Sequence, residues 1–199
     1  MEKENKHLQV LQIKNMVCPR CIKVVQDDLS ALGLEVEEVL LGSAIIVTND
    51  AVPMHAIEAA LKKNGFELLH DKREELVEHI KLAVIDLIYQ NKLAALNISV
   101  STYLADTLGK DYATLSTLFK AAEGVALSKY VILQKVEHAK ELLTYNEDSI
   151  SSIAAKLGYK SMQHLSSQFK EITGVSPNYY RKQGGLGRQT IDNLHVRLP

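Results

Sequence analysis

Cys18 and Cys21, in the run NMVCPRC, are the only two thiols among 199 residues. Thiolates are soft ligands that favour Cu(I), Zn(II) or Cd(II), and two of them three positions apart can grip one ion or oxidise to one disulfide. A single adjacent pair builds no disulfide scaffold, so the reading is a metal or redox site. Zn(II) usually takes four ligands, and the seven histidines (His7, His55, His70, His79, His138, His164 and His195) are scattered. A closed site would therefore need a second molecule's CxxC, a glutathione, or a histidine such as His7 or His70 brought near by the fold. No nucleotide loop, Ser-His-Asp context or paired-carboxylate motif is present, so the expectation is a protein that is not an enzyme.

The second group of chemistry-bearing residues lies in a segment that occurs twice. LADTLGKDYATLSTLFKAAEGVALSKY runs from Leu104 to Tyr130, and IAAKLGYKSMQHLSSQFKEITGVSPNYY runs from Ile153 to Tyr180. Leu115, Phe119, Lys120, Gly124, Val125 and Tyr130 recur fifty positions later as Leu165, Phe169, Lys170, Gly174, Val175 and Tyr180. Each copy reads as two short helices joined by a tight turn, a helix-turn-helix whose second helix fits a DNA major groove. The turns differ by one residue, with seven positions from Leu108 to Leu115 and eight from Leu157 to Leu165. The second helices are expected to begin near Tyr112 and Met162, with Leu115, Leu118, Phe119, Leu165 and Phe169 turned to the core.

These groups need scaffolds. HLQVLQIKNM alternates as a half-buried strand, and Pro19 can open a helix carried by Ile22, Val25, Leu29 and Leu32 to Gly33. Two strand-like runs, 34–42 and 43–50, meet at Gly42-Ser43; a helix runs from Met54 to Gly65; and FELLH (66–70) reads as a last strand. That order is a split βαβ, ferredoxin-like unit. From Asp71 onward only helices follow: an amphipathic one through Leu76, Ile80, Val84, Leu87 and Ile88, which either joins the domains or opens the second, then the first copy with Ser99 or Ser101 as N-cap. A longer helix through Val131, Leu133, Val136, Ala139, Leu142 and Leu143 separates the copies. The fold class is α+β, with domains at 1–71 and 72–183 and a flexible tail over 184–199.

The duplicated part, about 75–182, resembles the AraC family of bacterial transcription regulators, most closely over SISSIAAKLGYKSMQHLSSQFKEITGVSPNYYRK. The resemblance implies two helix-turn-helix units bridged by a long helix. It implies groove-facing positions at Ala113, Ser116 and Thr117, then at Gln163, His164 and Ser167. A Gln amide can donate to and accept from adenine at once, which makes Gln163 the foremost base contact. Lys110 and Lys160 suit phosphates, while Lys120 and Lys170 either do the same or pair with acids such as Glu123 and Glu171. Thr117 and Ser167 stand where the family often has arginine, and Lys135 replaces an arginine of the linking helix. Without bidentate arginine contacts, readout shifts toward shape, phosphates and a second subunit.

Residues 8–71 resemble the heavy-metal-associated domain through NMVCPRC, the element order and NGF (64–66). This implies Cys18 and Cys21 as ligands of a surface-exposed soft ion, Cu(I) first and Zn(II) as the alternative, with Met16 packed beneath as core. Asn15 in place of the family's glycine, and Pro19-Arg20 between the cysteines, depart from that pattern.

At 46% hydrophobic and 24% charged, the chain can bury real cores. Residues 1–71 carry 7 Lys/Arg against 11 Asp/Glu, and residues 72–199 carry 16 against 13. A basic excess on the duplicated half suits a polyanion. No apolar run long enough to span a membrane occurs and the first ten residues are too polar for a secretory signal, so a cytoplasmic location is expected. The expected function is a DNA-binding transcription regulator acting on double-stranded promoter DNA, with the cysteine domain sensing a thiophilic ion and altering DNA binding or homodimer formation. Two alternatives stay open: a thiol redox-sensing regulator, and a chaperone-like metal carrier with a helical docking module.

Overall fold

The computed structural model describes residues 7–48 and 53–184. The chain divides into two compact units, residues 1–82 and 83–199.

In the first unit the order is β1 (His7–Lys14), α1 (Pro19–Ala31), β2 (Glu35–Leu40), β3 (Ser43–Thr48), α2 (Met54–Lys63) and β4 (Glu67–Leu68). One four-stranded sheet has the order β2-β3-β1-β4, and every pairing is antiparallel. Alternation along β1 buries Leu11 and Ile13 and leaves Leu8 and Val10 exposed, as the two-residue period of a strand requires. Leu11 and Ile13 join Met16, Val25, Leu29, Ile46, Ile57 and Leu61 in the core. Burying each large side chain stabilises by about 1.5–3 kcal/mol.

The last strand is shorter than the FELLH run. β4 pairs only Ile13 with Leu68 and Lys14 with Glu67, because the chain soon turns into the next helix, whose Arg73 N–H donates to the Asp71 carboxylate. That helix, α3 (Lys72–Tyr89), spans the division between the units at Leu82 and Ala83, as the joining alternative has it; the expected boundary is Asp71. Its first turns are tied down by a buried carboxylate: Glu78 Oε1 accepts from the Asn15 backbone N–H at 2.8 Å. Gly42, at φ +89°, makes the close approach to this helix; a Cβ there would stand 2.6 Å from Leu82 Cδ1.

The second unit is helical. After a 3-10 turn at Lys92–Ala95 come α4 (Val100–Leu108), α5 (Tyr112–Glu123), α6 (Leu127–Tyr145), α7 (Ile150–Lys156), α8 (Met162–Thr173) and α9 (Pro177–Lys182). Local chemistry starts each short helix. Ser99 caps α4, Asp111 α5, Ser149 α7, Ser161 α8 and Ser176 α9, each side chain accepting a backbone N–H three residues on. Gly124 and Gly174 end α5 and α8 in the left-handed conformation, donating to the carbonyls of Lys120 and Lys170.

The core repeats with the sequence. Phe119 packs on Tyr130 with ring centroids 5.0 Å apart, and Phe169 on Tyr180 at 5.5 Å. Leu115 and Leu165 are fully buried beside them. Among the described residues no helix is long and apolar enough to cross a membrane. The expected tail lies, beyond Gly184, outside the described residues.

Candidate nucleic-acid interface and cysteine pair

Each second helix buries one stripe and shows the other to solvent. On α8, Leu165 and Phe169 are buried while Gln163, His164 and Ser167 are exposed, as a 3.6-residue period demands. On α5, Leu115 and Phe119 are buried, Leu118 is half-buried, Ala113 and Thr117 are exposed, and Ser116 is half-buried. Ser116 and Thr117 line a shallow depression with Lys120 and Ala121. Lys110 and Lys160, in the two turns, are exposed, as are Lys120 and Lys170. Glu171 lies 4.0 Å from Lys129 of α6, so its ion-pair partner comes from the linking helix rather than from Lys170 next to it.

The turns differ in what they carry. Between α4 and α5 stand Gly109, Lys110 and Asp111, and the Asp111 carboxylate accepts both the Thr114 backbone N–H (2.9 Å) and its hydroxyl (2.6 Å). These bonds hold the Asp111 carboxyl below the ordinary carboxylate range. Between α7 and α8 stand Leu157, Gly158, Tyr159, Lys160 and Ser161. Tyr159 is buried, donates its hydroxyl to Gln168 Oε1 at 2.7 Å, and meets the His164 ring edge-on at 5.3 Å. Lys135 Nζ lies 5.3 Å from the centre of the Tyr159 ring, a cation–π distance. Burial pushes the Tyr159 hydroxyl well above its usual range and the Lys135 ammonium below its own. The length asymmetry of the turns is legible in the sequence; the contacts of Tyr159 are not, because Lys135 is 24 residues away with no periodic relation to it.

In the first unit, Met16 is fully buried below the loop that carries the thiols. Cys18 is the extended residue before α1 and Pro19 its first helical residue, so both sulfurs sit where a helix leaves backbone N–H groups free. The sulfurs are 3.5 Å apart and part-buried. Burial works against ionising Cys18, but hydrogen bonds from the Cys21 backbone and thiol and from the Arg20 backbone, with the Arg20 charge, hold that thiol below its ordinary range. Burial, with the bond to Cys18, pushes the Cys21 thiol up. Asn15, in the left-handed region at φ +72°, donates its side-chain amide to the Gly65 carbonyl at 2.9 Å. Among the described residues no group of three or more His, Cys, Asp or Glu side chains is placed to hold an ion, and His70 instead meets Glu58 at 3.1 Å.

Comparison with known proteins bears on the second unit. Residues 104–183 match the family model of a helix-turn-helix domain. A raffinose operon transcriptional regulatory protein, RafR, of Pediococcus pentosaceus is 39% identical over 72 residues, which are 36% of this chain and 26% of that protein. A putative AraC-like transcription regulator of Streptomyces lividans is 37% identical over 79 residues, 40% of this chain and 26% of that one. Among solved structures, the C-terminal domain of AraT, a response regulator from Geobacillus stearothermophilus, aligns at 26% identity with a TM-score of 0.48, covering 60% of this chain and 94% of that one. The chain thus spans about a quarter of the length of these curated relatives. Residues 104–183 of its second unit thus form a helix-turn-helix domain.

Proposed function

We propose that the protein is a DNA-binding transcription regulator whose α5 and α8 enter successive major grooves of duplex promoter DNA. The observation that carries this reading is the pair of capped helices, each locked by a buried Leu and Phe, with Gln163, His164 and Ser167 on one outer face and Ala113, Ser116 and Thr117 on the other. Small hydroxyls at 117 and 167 leave Gln163 and His164 as the side chains best suited to base edges, with Lys110 and Lys160 on phosphates. The test is binding of the full chain to a randomised duplex pool across a salt series. Selection of a sequence, with affinity falling linearly on a log-log salt plot, supports the reading. Failure to bind any duplex would favour a metal carrier with a helical docking module.

The first unit is proposed as a ferredoxin-like sensor, a reading supported by its βαββαβ order and antiparallel β2-β3-β1-β4 sheet. Its donor set of two adjacent thiols fits a soft ion with few ligands, Cu(I) before Zn(II). Cys18 and Cys21 would hold that ion, and Glu78, bonded to the loop at Asn15, links the site to α3, which continues into the second unit. Anaerobic Cu(I) titration of the wild type and of a Cys18→Ser, Cys21→Ser double variant tests this, with equal uptake removing the site. The 3.5 Å sulfur separation also favours a second reading. A glutathione-type disulfide would oxidise the two thiols to one intramolecular disulfide, accepting two electrons and two protons as it is reduced to two thiols. Mass spectrometry after such treatment, showing a loss of two hydrogens, distinguishes it.

A further inference from the structure

The two helix-turn-helix copies share a scaffold and differ at one residue that does more than lengthen a turn. In the first copy the position fifty before His164 is Thr114, and its hydroxyl is turned back onto the Asp111 cap at 2.6 Å. The position fifty before Gln168 is Leu118, which has no polar group to offer. In the second copy the cap is Ser161, which takes only the His164 backbone N–H at 3.1 Å and leaves the imidazole to other partners. The longer turn brings in Tyr159, whose ring meets that imidazole at 5.3 Å and whose hydroxyl reaches Gln168 at 2.7 Å. His164 and Gln168 are one helical turn apart, so Tyr159 braces a single flank of α8 beside the exposed face. Its own backbone N–H donates to the Ala154 carbonyl at 2.9 Å, and Lys135 of α6 covers its ring. It is anchored from α7 and α6 and acts on α8.

We propose that Tyr159 is the specificity-positioning residue of the second unit, holding His164 and Gln168 in one arrangement before DNA arrives. This rests on the DNA-reading role of α8 proposed above. A side chain held in place loses little rotamer freedom on binding, so the ordering cost falls on folding and not on recognition. The first copy, with no such brace and with Thr114 engaged by its cap, anchors the domain on the backbone and discriminates little.

The test uses the full chain and a site selected by the wild type from a random duplex pool. Tyr159→Phe keeps the ring and removes the hydroxyl. The ratio of affinity for the selected site to that for a scrambled duplex at the same salt is expected to fall about fivefold, a value typical of one hydrogen bond. Affinity for the scrambled duplex should hold, and the lost preference should be confined to base pairs under α8. Gln168→Ala should give a similar loss, and the double variant should be no worse than either single change. An unchanged ratio in Tyr159→Phe, additive losses in the double variant, or equal losses on both duplexes would overturn the inference while leaving DNA reading intact. A wild type that selects no sequence overturns both.

Discussion

The copy ending at Tyr130 and the copy ending at Tyr180 are built on the same frame and finished differently. Both use a capped second helix of 12 residues, a left-handed glycine at its end and a Phe-Tyr pair beneath. Above that frame, α5 offers Ala113, Ser116 and Thr117 and a cap that consumes Thr114, whereas α8 offers Gln163, His164 and Ser167 with Tyr159 behind them. Duplication preserves what the core needs, since close packing penalises change there, and leaves the outer face free to diverge. The proposed division, with anchoring in the first copy and discrimination in the second, follows from that difference.

The largest effect tests the shared frame. Phe119→Ala and Phe169→Ala should each cost about 3–5 kcal/mol in denaturant unfolding, as for other fully buried aromatics. A difference between them above about 2 kcal/mol would break the equivalence of the two frames.

The next tests the unequal faces. Gln163→Ala should weaken binding to a selected site by about 1–3 kcal/mol, while Ser116→Ala and Thr117→Ala should change it by no more than about 0.5 kcal/mol, the ordinary range for surface changes. Equal losses on both helices, measured at one salt concentration, would remove the division of labour.

Caps give a smaller effect of about 1 kcal/mol on stability, for Asp111→Ala and Ser161→Ala alike, read from the shift in denaturation midpoint. Lys110→Gln and Lys160→Gln are each expected to lower the slope of log affinity against log salt by about one, without altering which sequence is selected. A change in the selected sequence would make that lysine a base reader.

The cysteines form a second unequal pair and give the gentlest test. With Cys18 held below the ordinary thiol range and Cys21 raised, the thiolate of Cys18 appears first as pH rises from the acid side. Alkylation followed by peptide mass spectrometry should therefore label Cys18 at lower pH than Cys21; the reverse order would show that Arg20 and the local N–H groups do not control the site.

Much of this was legible in the residues. The starts of α5 near Tyr112 and α8 near Met162 follow from signals within a few residues of one another, as does a serine cap on α4, where Ser99 takes the place and not Ser101; Met16 as core comes from the resemblance. The sequence leaves open whether α3 joins the units or opens the second: Leu76, Ile80 and Val84 mark a face without saying which unit covers it. On that helix Glu78 and Lys81 are both buried and lie 3.9 Å apart, which no local pattern signals. The short β4 likewise depends on how much of β1 remains to pair.

By itself the sequence determined the elements, the duplicated frame and the thiol pair, because caps, glycines and apolar periods act locally along the chain. Tertiary structure alone decided that Glu78 would hold the cysteine loop and that Tyr159 would join Lys135, His164 and Gln168. These contacts link residues with no shared period, and only packing brings them within bonding distance.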